Sequence, residues 1–475
     1  MGTALDRHLV LVGFMGAGKT TIGREVAERL GRRFVDLDRE IEREEGLPVA
    51  GLFAARGEAA FRVLERRQAL EALRQGAPAV ISFGGGALGS TQIRDALRER
   101  ALTVLLEVDV DEAWRRVGGG DRPLAQDEGE FRQLYEERRA VYGEAADARA
   151  RDVDGVVLAA GAIHVESGAL AWLGELVPGE RPVALVADRH VAGIHGMEAQ
   201  LGLGARKVSM HEVPAGEEAK TLHVLQRLWR DLRLERGGIL VALGGGCTTD
   251  VAGFAAATYL RGIDWVAVPT TLVGQVDAAI GGKTAIDLPE GKNLVGAFHW
   301  PTRTVIDPGL LETLPEAESL NGRAELVKTG LLAGKPLWDL PLSEAVRRCA
   351  AFKTAVCLRD PHDRGERNQL NLGHTFAHAL EAAAGFELPH GRAVALGLLA
   401  ALRLSGLDTA VVEEQLRPEP ARVDRERAWD ALARDKKAAG GVPKLVLLEA
   451  PGRPRIGVEL PEADVRAALD SLIAG

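Results

Sequence analysis

Short apolar runs separated by amphipathic stretches organise the first 150 residues. His8-Leu9-Val10-Leu11-Val12 predicts a buried strand, and the run Ile22 to Leu30 beyond a glycine-rich loop predicts an amphipathic helix. Arg33 to Asp38, Ala79 to Phe83 and Thr103 to Glu107 predict further strands with helical patterns between them. Such alternation implies right-handed crossovers and a parallel sheet. The Gly/Ala-rich stretch from Val153 to Ala162 interrupts the pattern and predicts a domain boundary near Gly161. A helix beginning at Gly168 and a strand from Pro182 to Asp188 then restart an α/β pattern that lasts to about Pro315. Beyond it strand signals fade. Ser343 to Leu358, Leu372 to Ala384 and Arg392 to Leu404 predict helices, and Lys444 to Leu448 a late strand. The expected division is 1–160, 161–314 and 315–475.

Composition narrows the partners. Lys+Arg number 59 against 68 Asp+Glu in 475 residues, a net charge of −9 that argues against nucleic acid as the main partner. No apolar run reaches the ~18 residues of a membrane span. Cys247, Cys349 and Cys357 lack metal-type spacing and fit reduced thiols, and the opening MGTALDRH does not read as a signal peptide. A cytoplasmic, multi-domain chain without membrane contact is the expectation.

Gly13-Phe-Met-Gly16-Ala17-Gly18-Lys19-Thr20, followed by Thr21, fits G-x-x-x-x-G-K-[ST] between a predicted strand and helix. Glycines let backbone N–H groups converge on phosphate oxygens, the helix N-terminus adds its dipole, Lys19 supplies a point charge and Thr20 a magnesium ligand. The motif does not name the phosphoryl acceptor. Five further segments supply that: Phe34-Val-Asp36-Leu-Asp38, Gly57-Glu58-Ala-Ala-Phe61-Arg62, Gly84-Gly85-Gly86, Gly120-Asp121-Arg122-Pro123-Leu124 and Glu137-Arg138-Arg139-Ala140-Val141-Tyr142. With them the first 155 residues or so resemble shikimate kinase. The resemblance implies ATP with Mg²⁺ held by Thr20 and Asp36, and Asp38 on the acceptor hydroxyls. It also implies Arg62, Arg138 and the glycines 84–86 around shikimate, and Arg122 brought by a lid to the transferring phosphate. Phosphoryl transfer needs such a set in any case, because it is mainly positioning and charge neutralisation. That family adds one more C-terminal helix; here it is expected to be lost, or the predicted boundary is early.

In the second half, Leu240-Val-Ala-Leu243 runs into Gly244-Gly245-Gly246 and a helix, a geometry suited to a pyrophosphate but also to tight packing alone. Glu325, His374 and His390 offer one carboxylate and two imidazoles, a catalytic zinc set. His374 and His378, four apart on a helix, form an equally acceptable metal pair by spacing. The segment Val268-Pro-Thr270-Thr271 through Asp277, Gly281-Gly282-Lys283 and Gly291-Lys292-Asn293 to His299 resembles the central signature of 3-dehydroquinate synthase. So do Pro214-Ala-Gly216-Glu217-Glu-Ala-Lys220, Ala256 to Gly262, Ala324-Glu325-Leu-Val-Lys328 and Leu370-Asn371-Leu-Gly373-His374-Thr-Phe-Ala-His378, and the likeness runs from about Gly168 to the end.

That resemblance implies NAD⁺ on Asp188, Glu217, Lys220, Gly245, Gly246, Asp250, Thr270, Thr271, Asp277, Lys283, Lys292 and Thr313. It implies Zn²⁺ or Co²⁺ on Glu325, His374 and His390, with His378 in acid/base work. Arg261, Lys283, Lys292, Asn293, Lys328, Lys353, Arg367, Asn371 and Lys436 are implied for the substrate DAHP, whose phosphate and carboxylate require many cations; of these Lys283, Lys328 and Lys353 are also implied in catalysis. The implied chemistry is a transient oxidation, elimination of phosphate and ring closure, and the implied assembly a homodimer through this half. Three departures stand out: Thr249 for a usual glycine, Asp363 for glutamate and Arg392 for glutamate.

The fold expectation is therefore α/β: a P-loop domain with a parallel sheet, a Rossmann-like dinucleotide domain and a mainly helical metal-binding domain. Two alternatives remain for function. The second half is another sugar-phosphate cyclase or a polyol dehydrogenase, or the first half is a degenerate nucleotide-sensing module.

Overall fold

In the computed structural model, which describes residues 3–118, 125–438 and 443–474 with the side chains of 434–438 outside that description, the run His8–Val12 becomes a strand (β1) buried at every position. Burial on both faces explains why it reads as continuously apolar rather than alternating. With β2 (Phe34–Asp36), β3 (Val80–Ser82), β4 (Ala101–Leu106) and β5 (Ala148–Ala150) it forms a parallel sheet in the order β2-β3-β1-β4-β5. The chain divides into two compact units, Met1–Ile163 and His164–Gly475.

One expectation about the first unit is corrected. The Gly/Ala-rich segment is a helix, Val153–Ala160, and it packs inside this unit. Asp152 caps it by accepting from the Gly155 N–H at 2.8 Å, Val156 to Ala160 are buried, and Asp154 pairs with Arg29 at 2.6 Å. A helix apolar on nearly every side has no 3.6-residue contrast, so its pattern is silent. The final helix is present, and the predicted boundary cut close to its end.

The second unit holds a sheet in the order β6-β13-β10-β9-β7-β8, where β6 is Ile163–Val165, β7 Val183–Asp188, β8 Val208–Val213, β9 Ile239–Gly244, β10 Asp264–Pro269 and β13 Arg303–Ile306. The pairings from β13 across to β8 are parallel. The chain moves outward from β7 to β8 and then crosses back to β9, so the order reverses between β7 and β9. Ligands of open α/β sheets bind at the carboxyl ends of strands flanking such a reversal. Between β10 and β13 lies an antiparallel hairpin of β11 (Lys283–Leu288) and β12 (Gly291–Phe298). The helix expected at Gly168 is a 3₁₀ turn, Ala169–Trp172, running into one α-turn, Leu173–Leu176.

From Glu316 the unit is mainly helical, with helices Glu316–Ala333, Leu342–Arg359, His374–Ala383 and His390–Leu404 at its centre. Val327, Leu331, Val356, Phe376, Leu380, Val394 and Leu398 pack together between them. The late strand (β14, Leu445–Ala450) pairs antiparallel with β15, Arg453–Val458, which sequence patterning missed because its side chains alternate too weakly.

Candidate active sites

In the first unit, the loop leaving β1 carries Gly13 at φ +147°, Gly16 at +80° and Gly18 at +82°, values that side chains resist. Gly18 leads into the helix Lys19–Arg29 with no side-chain cap, so backbone N–H groups face the loop. Lys19 Nζ curls back to donate to the carbonyls of Gly13 (2.7 Å) and Phe14 (3.0 Å). Thr20 Oγ1 donates to Asp36 Oδ2 at 2.6 Å, which joins a hydroxyl and a carboxylate, both hard oxygen donors suited to Mg²⁺. Gly16, Ala17, Gly18 and Thr21 line a cavity of about 1400 Å³ beside the loop. These features form a phosphate cradle.

Beyond it, Asp38, Arg62, Arg138 and Gly84 to Gly86 converge. Gly57, at φ +77°, breaks the helical run Val49–Arg74 just ahead of Arg62. The Arg62 guanidinium lies over Gly86, where a methyl group would overlap it. Arg138 Nη1 and Tyr142 Oη both donate to the Gly85 carbonyl, at 3.0 and 2.6 Å. Sequence reading missed Glu65. It is 2% exposed, pairs with Arg62 at 2.7 Å and crowds Gly84, where an added methyl would also lie 2.9 Å from Asp38 Oδ1. Burial pushes its carboxyl upward despite Arg62, with Asp38 adding to the rise. The i,i+3 spacing from Arg62 was the available signal. Arg122 lies outside the described residues.

In the second unit, β7 ends at Asp188 and β9 at Gly244, on either side of the strand-order reversal. Gly244 sits at φ +159°, Gly245 precedes the helix Gly246–Thr258, and no side chain caps that helix. A methyl on Gly245 or Gly246 would press on Thr271 or Ala278, so the approach is as close as backbone allows. These residues, with Thr248, Asp250, Thr270, Thr271 and Thr313, line a cleft of about 1090 Å³. Asp188 accepts from the N–H groups of His190 and Val191 at 3.0 Å, and His195 Nε2 meets Thr313 Oγ1 at 2.9 Å. Thr249, the departure from glycine, is inside the helix, where its hydroxyl donates to the Gly246 carbonyl at 2.9 Å.

The turn between β11 and β12 is tied to this floor. Lys220 reaches Asp250 at 2.9 Å and Asn293, while Lys292 reaches Glu217 at 2.7 Å. Burial raises the Asp250 carboxyl to about 6, against the pull of Lys220. Burial opposes the charge on Lys220, yet Asp250 and Glu217 carry it up to about 12. Cys247, also missed, lines the cleft, but burial lifts its thiol to about 12 and leaves it protonated.

Glu325, His374 and His390, the last of which lines the cleft, gather: their candidate ligand atoms lie within 4.8 Å of one another. Each Nε2 faces Glu325 Oε1, at 3.4 Å for His374 and 3.2 Å for His390. Glu325 is 1% exposed; burial opposes its charge, but Lys328 and His374 hold it well below the usual carboxylate range. One carboxylate and two imidazoles aimed at one point fit a divalent ion of the zinc class with positions left open. His378, the other candidate of the i,i+4 pair, stacks edge-on to His374 at 5.4 Å and lines the cleft outside this trio.

One cation sits against the trio, and a second shares a carboxylate with it. Lys328 lies 2.5 Å from Glu325 and 3.8 Å from Asp277, whose carboxylate also takes Lys353 at 2.6 Å. A single π-turn, Gly274–Ala278, points Asp277 at both ammoniums. Arg367, 4% exposed, donates to the Gly281 carbonyl at 2.9 Å, and Lys283 pairs with Asp363, the residue standing for glutamate. Asn371 is exposed at the end of the turn Glu366–Asn371. Arg261 is exposed and held at φ +69°, and like Lys283, Lys328, Lys353, Arg367 and Asn371 it is not among the residues lining the cleft. The Lys436 side chain lies outside the described residues. Arg392, the third departure, reaches Glu419 and the carbonyl of Pro420 at 3.3 Å.

Fold and sites together define a P-loop phosphotransferase unit followed by a unit built for a dinucleotide and a divalent metal. The family model described as shikimate kinase matches residues 15–157, and those for the N-terminal and C-terminal parts of 3-dehydroquinate synthase match 210–321 and 322–438. A bifunctional shikimate kinase/3-dehydroquinate synthase of Thermotoga maritima is 33% identical over 484 residues, covering 91% of this chain and 94% of the relative. A 3-dehydroquinate synthase of Latilactobacillus sakei is 37% identical over 336 residues, covering 65% of this chain and 94% of its own. Among solved structures, the 2-epi-5-epi-valiolone synthase of Streptomyces hygroscopicus, with NAD⁺ and Zn²⁺ bound, matches with a TM-score of 0.59 at 26% identity, over 65% of this chain and 96% of that one. The chain belongs to the bifunctional shikimate kinase/3-dehydroquinate synthase family.

Proposed function

We infer that the protein is an enzyme with two activities: ATP-dependent phosphorylation of shikimate in the first unit, and conversion of DAHP to 3-dehydroquinate with release of phosphate in the second. The carrying observation is that a phosphate cradle joined to an arginine-lined acceptor pocket, and a dinucleotide floor facing a Glu-His-His trio, occur in one chain related along 91% of its length to a protein of both names.

In the first site, the backbone N–H groups of Gly13 to Gly18 take the phosphate oxygens, with Lys19 as a point charge; the family pattern assigns Arg122 to the transferring phosphate. Mg²⁺, held by Thr20 and Asp36, supplies charge neutralisation on the phosphates. Asp38 orients the attacking hydroxyl. Arg62 and Arg138 hold the acceptor's carboxylate, for which a guanidinium fork is the matching partner.

In the second site, NAD⁺ on the floor made by Asp188, Glu217, Lys220, Gly245, Gly246, Asp250, Thr270, Thr271 and Thr313 supplies a hydride acceptor. Zn²⁺ or Co²⁺ on Glu325, His374 and His390 supplies Lewis acidity toward the substrate's oxygens. The chain's own groups do the rest. Lys283, Lys292, Lys328, Lys353 and Arg367 neutralise a phosphate and a carboxylate, Asn293 and Asn371 orient hydroxyls, and Asp277 spaces the ammoniums of Lys328 and Lys353. His378, exposed at the cleft wall, holds and moves a proton. Lys436 and Arg261 are assigned to the substrate by the family pattern.

The functional partition follows 1–160, 161–314 and 315–475. Homodimerisation runs through the second unit, a reading supported by Met197 and Leu201, 70% and 74% exposed four residues apart on a single helix. No helix among the described residues is long and apolar enough to cross a membrane, and Cys247, Cys349 and Cys357 are free, which supports a cytoplasmic enzyme. The purified protein should release ADP with ATP and shikimate, and inorganic phosphate with DAHP and NAD⁺. Absence of the first leaves a nucleotide-sensing module; accumulation of NADH with an alcohol makes the second half a dehydrogenase.

A further inference from the structure

Glu381 was not assigned by any motif, yet it lines the cleft as a residue only 7% exposed. It stands seven residues after His374 and three after His378, on the helix His374–Ala383, so the three share one face. A buried carboxylate is costly without a partner. Its partner is the imidazole of His390: Nδ1–H donates to Glu381 Oε1 at 3.1 Å, while Nε2 of the same ring faces Glu325 at 3.2 Å.

The two histidines are held differently. His374 donates its Nδ1–H to the backbone carbonyl of Leu372 at 3.2 Å, a neutral acceptor that no substitution removes. His390 leans on a side chain that carries charge. Its backbone is fixed from a third helix, where the Asn321 side chain accepts from the Gly391 N–H at 3.0 Å, a contact so close that a methyl at Gly391 would collide with the Asn321 backbone. The main chain at His390 is thus pinned by Asn321, and on the side of the ring away from Glu325 its orientation is held by Glu381. A ligand imidazole whose second nitrogen donates to a carboxylate has its tautomer and orientation fixed and becomes the stronger donor.

We propose that Glu381 is the positioning residue of the metal site, holding His390 so that Nε2 is presented beside Glu325 and His374, and raising the basicity of that ligand. The proposal rests on the reading of Glu325, His374 and His390 as metal ligands. It makes His390, of the two imidazoles, the ligand whose strength depends on a replaceable side chain.

The test measures affinity for Zn²⁺ and Co²⁺ by chelator competition on the full-length chain, comparing the unaltered protein with Glu381→Gln, Glu381→Ala and Glu381→Asp. Loss of an outer-shell partner typically weakens metal binding ~10–100-fold. Gln keeps an acceptor without the charge and should fall at the lower end, and Ala at the upper. Asp should regain part of the loss. The visible absorption of the Co²⁺ protein should shift in Gln, with the thermal melt of the metal-free form unchanged. If Gln and Ala bind both ions within threefold of the unaltered protein while DAHP turnover falls, Glu381 acts on substrate and the proposal is wrong. If the unaltered protein takes up no stoichiometric ion, the metal reading itself falls and takes the proposal with it. A fall in affinity for Ala alone, accompanied by a lowered melt, reduces Glu381 to packing and also overturns the proposal.

Discussion

Removing Arg62 separates what that side chain does for the fold from what it does for the acceptor. Its guanidinium pairs with Glu65 at 2.7 Å and Glu58 at 2.8 Å and lies over the rings of Phe53 and Phe61, 5.9 and 5.5 Å from their centroids. Glu58 is exposed, so that pair is worth little, but the buried Glu65 carboxylate would lose its direct partner beside Asp38, with only Arg138 left to offset its charge. Breaking a buried pair from one side costs ~3–5 kcal/mol, and because Arg62 is itself partly exposed the lower end applies. About 3 kcal/mol in a unit of this size lowers Tm by ~6–12 °C. Charge-assisted hydrogen bonds to an acceptor carboxylate are worth ~1.5–3 kcal/mol, which is ~10–150-fold in kcat/KM for shikimate. Arg62→Ala should therefore show both effects, with the KM for ATP unchanged. The double variant Arg62→Ala/Glu65→Gln should regain most of the lost Tm and none of the lost kcat/KM. Steady-state ADP release and a thermal melt read the two quantities. A shikimate KM unchanged in Arg62→Ala, or a double variant no more stable than the single, would refute the reasoning.

Lys19→Ala should lower shikimate-dependent ADP release by roughly 10²–10³-fold or more and leave phosphate release from DAHP intact; loss of both in a folded variant would break the independence of the sites. Gly86→Ala places a methyl where the Arg62 guanidinium lies, so the KM for shikimate should rise with that for ATP little changed. His8 is 5% exposed, takes the Ala79 N–H on Nδ1 and donates from Nε2 to the Gln75 carbonyl, and burial holds its imidazole below the ordinary value. The unfolded chain then binds the proton more readily, so this contribution to stability is intact above about pH 6.5 and is lost as pH falls below it. His8→Gln should flatten that part of the pH–stability curve of the first unit; an unchanged slope would show that His8 does not cause it.

Strands buried on both faces, such as β1 and β9, and loops with fixed glycine spacing were legible in the sequence because a single stretch carries the whole signal. The helix Val153–Ala160 was not, since uniform burial erases periodicity, and neither was β15. Site residues show the same split. Gly18, Lys19 and Thr20 are neighbours in sequence, whereas Glu325, His374 and His390 come from three helices whose packing no local pattern encodes. By spacing, His374 and His378 were as good a pair; what separates them is that only His374 faces Glu325. Glu65 and Glu381 escaped because a carboxylate in a helix reads as solvated until its burial is known. The network of Asp277 with Lys328 and Lys353 depends on a π-turn, which has no sequence signature of its own.

The central claim is that one chain carries two separate anion-binding reaction centres, only one of which depends on the Glu325-His374-His390 trio. The direct measurement follows both reactions on a single preparation through stripping and metal return. After chelation and restoration of Mg²⁺ alone, shikimate phosphorylation should persist at its original rate while phosphate release from DAHP disappears, and one equivalent of Zn²⁺ or Co²⁺ should bring the second reaction back. Persistence of DAHP conversion in protein proven free of transition metal, or recovery by the same ion in a His374→Ala/His390→Ala variant, would contradict it.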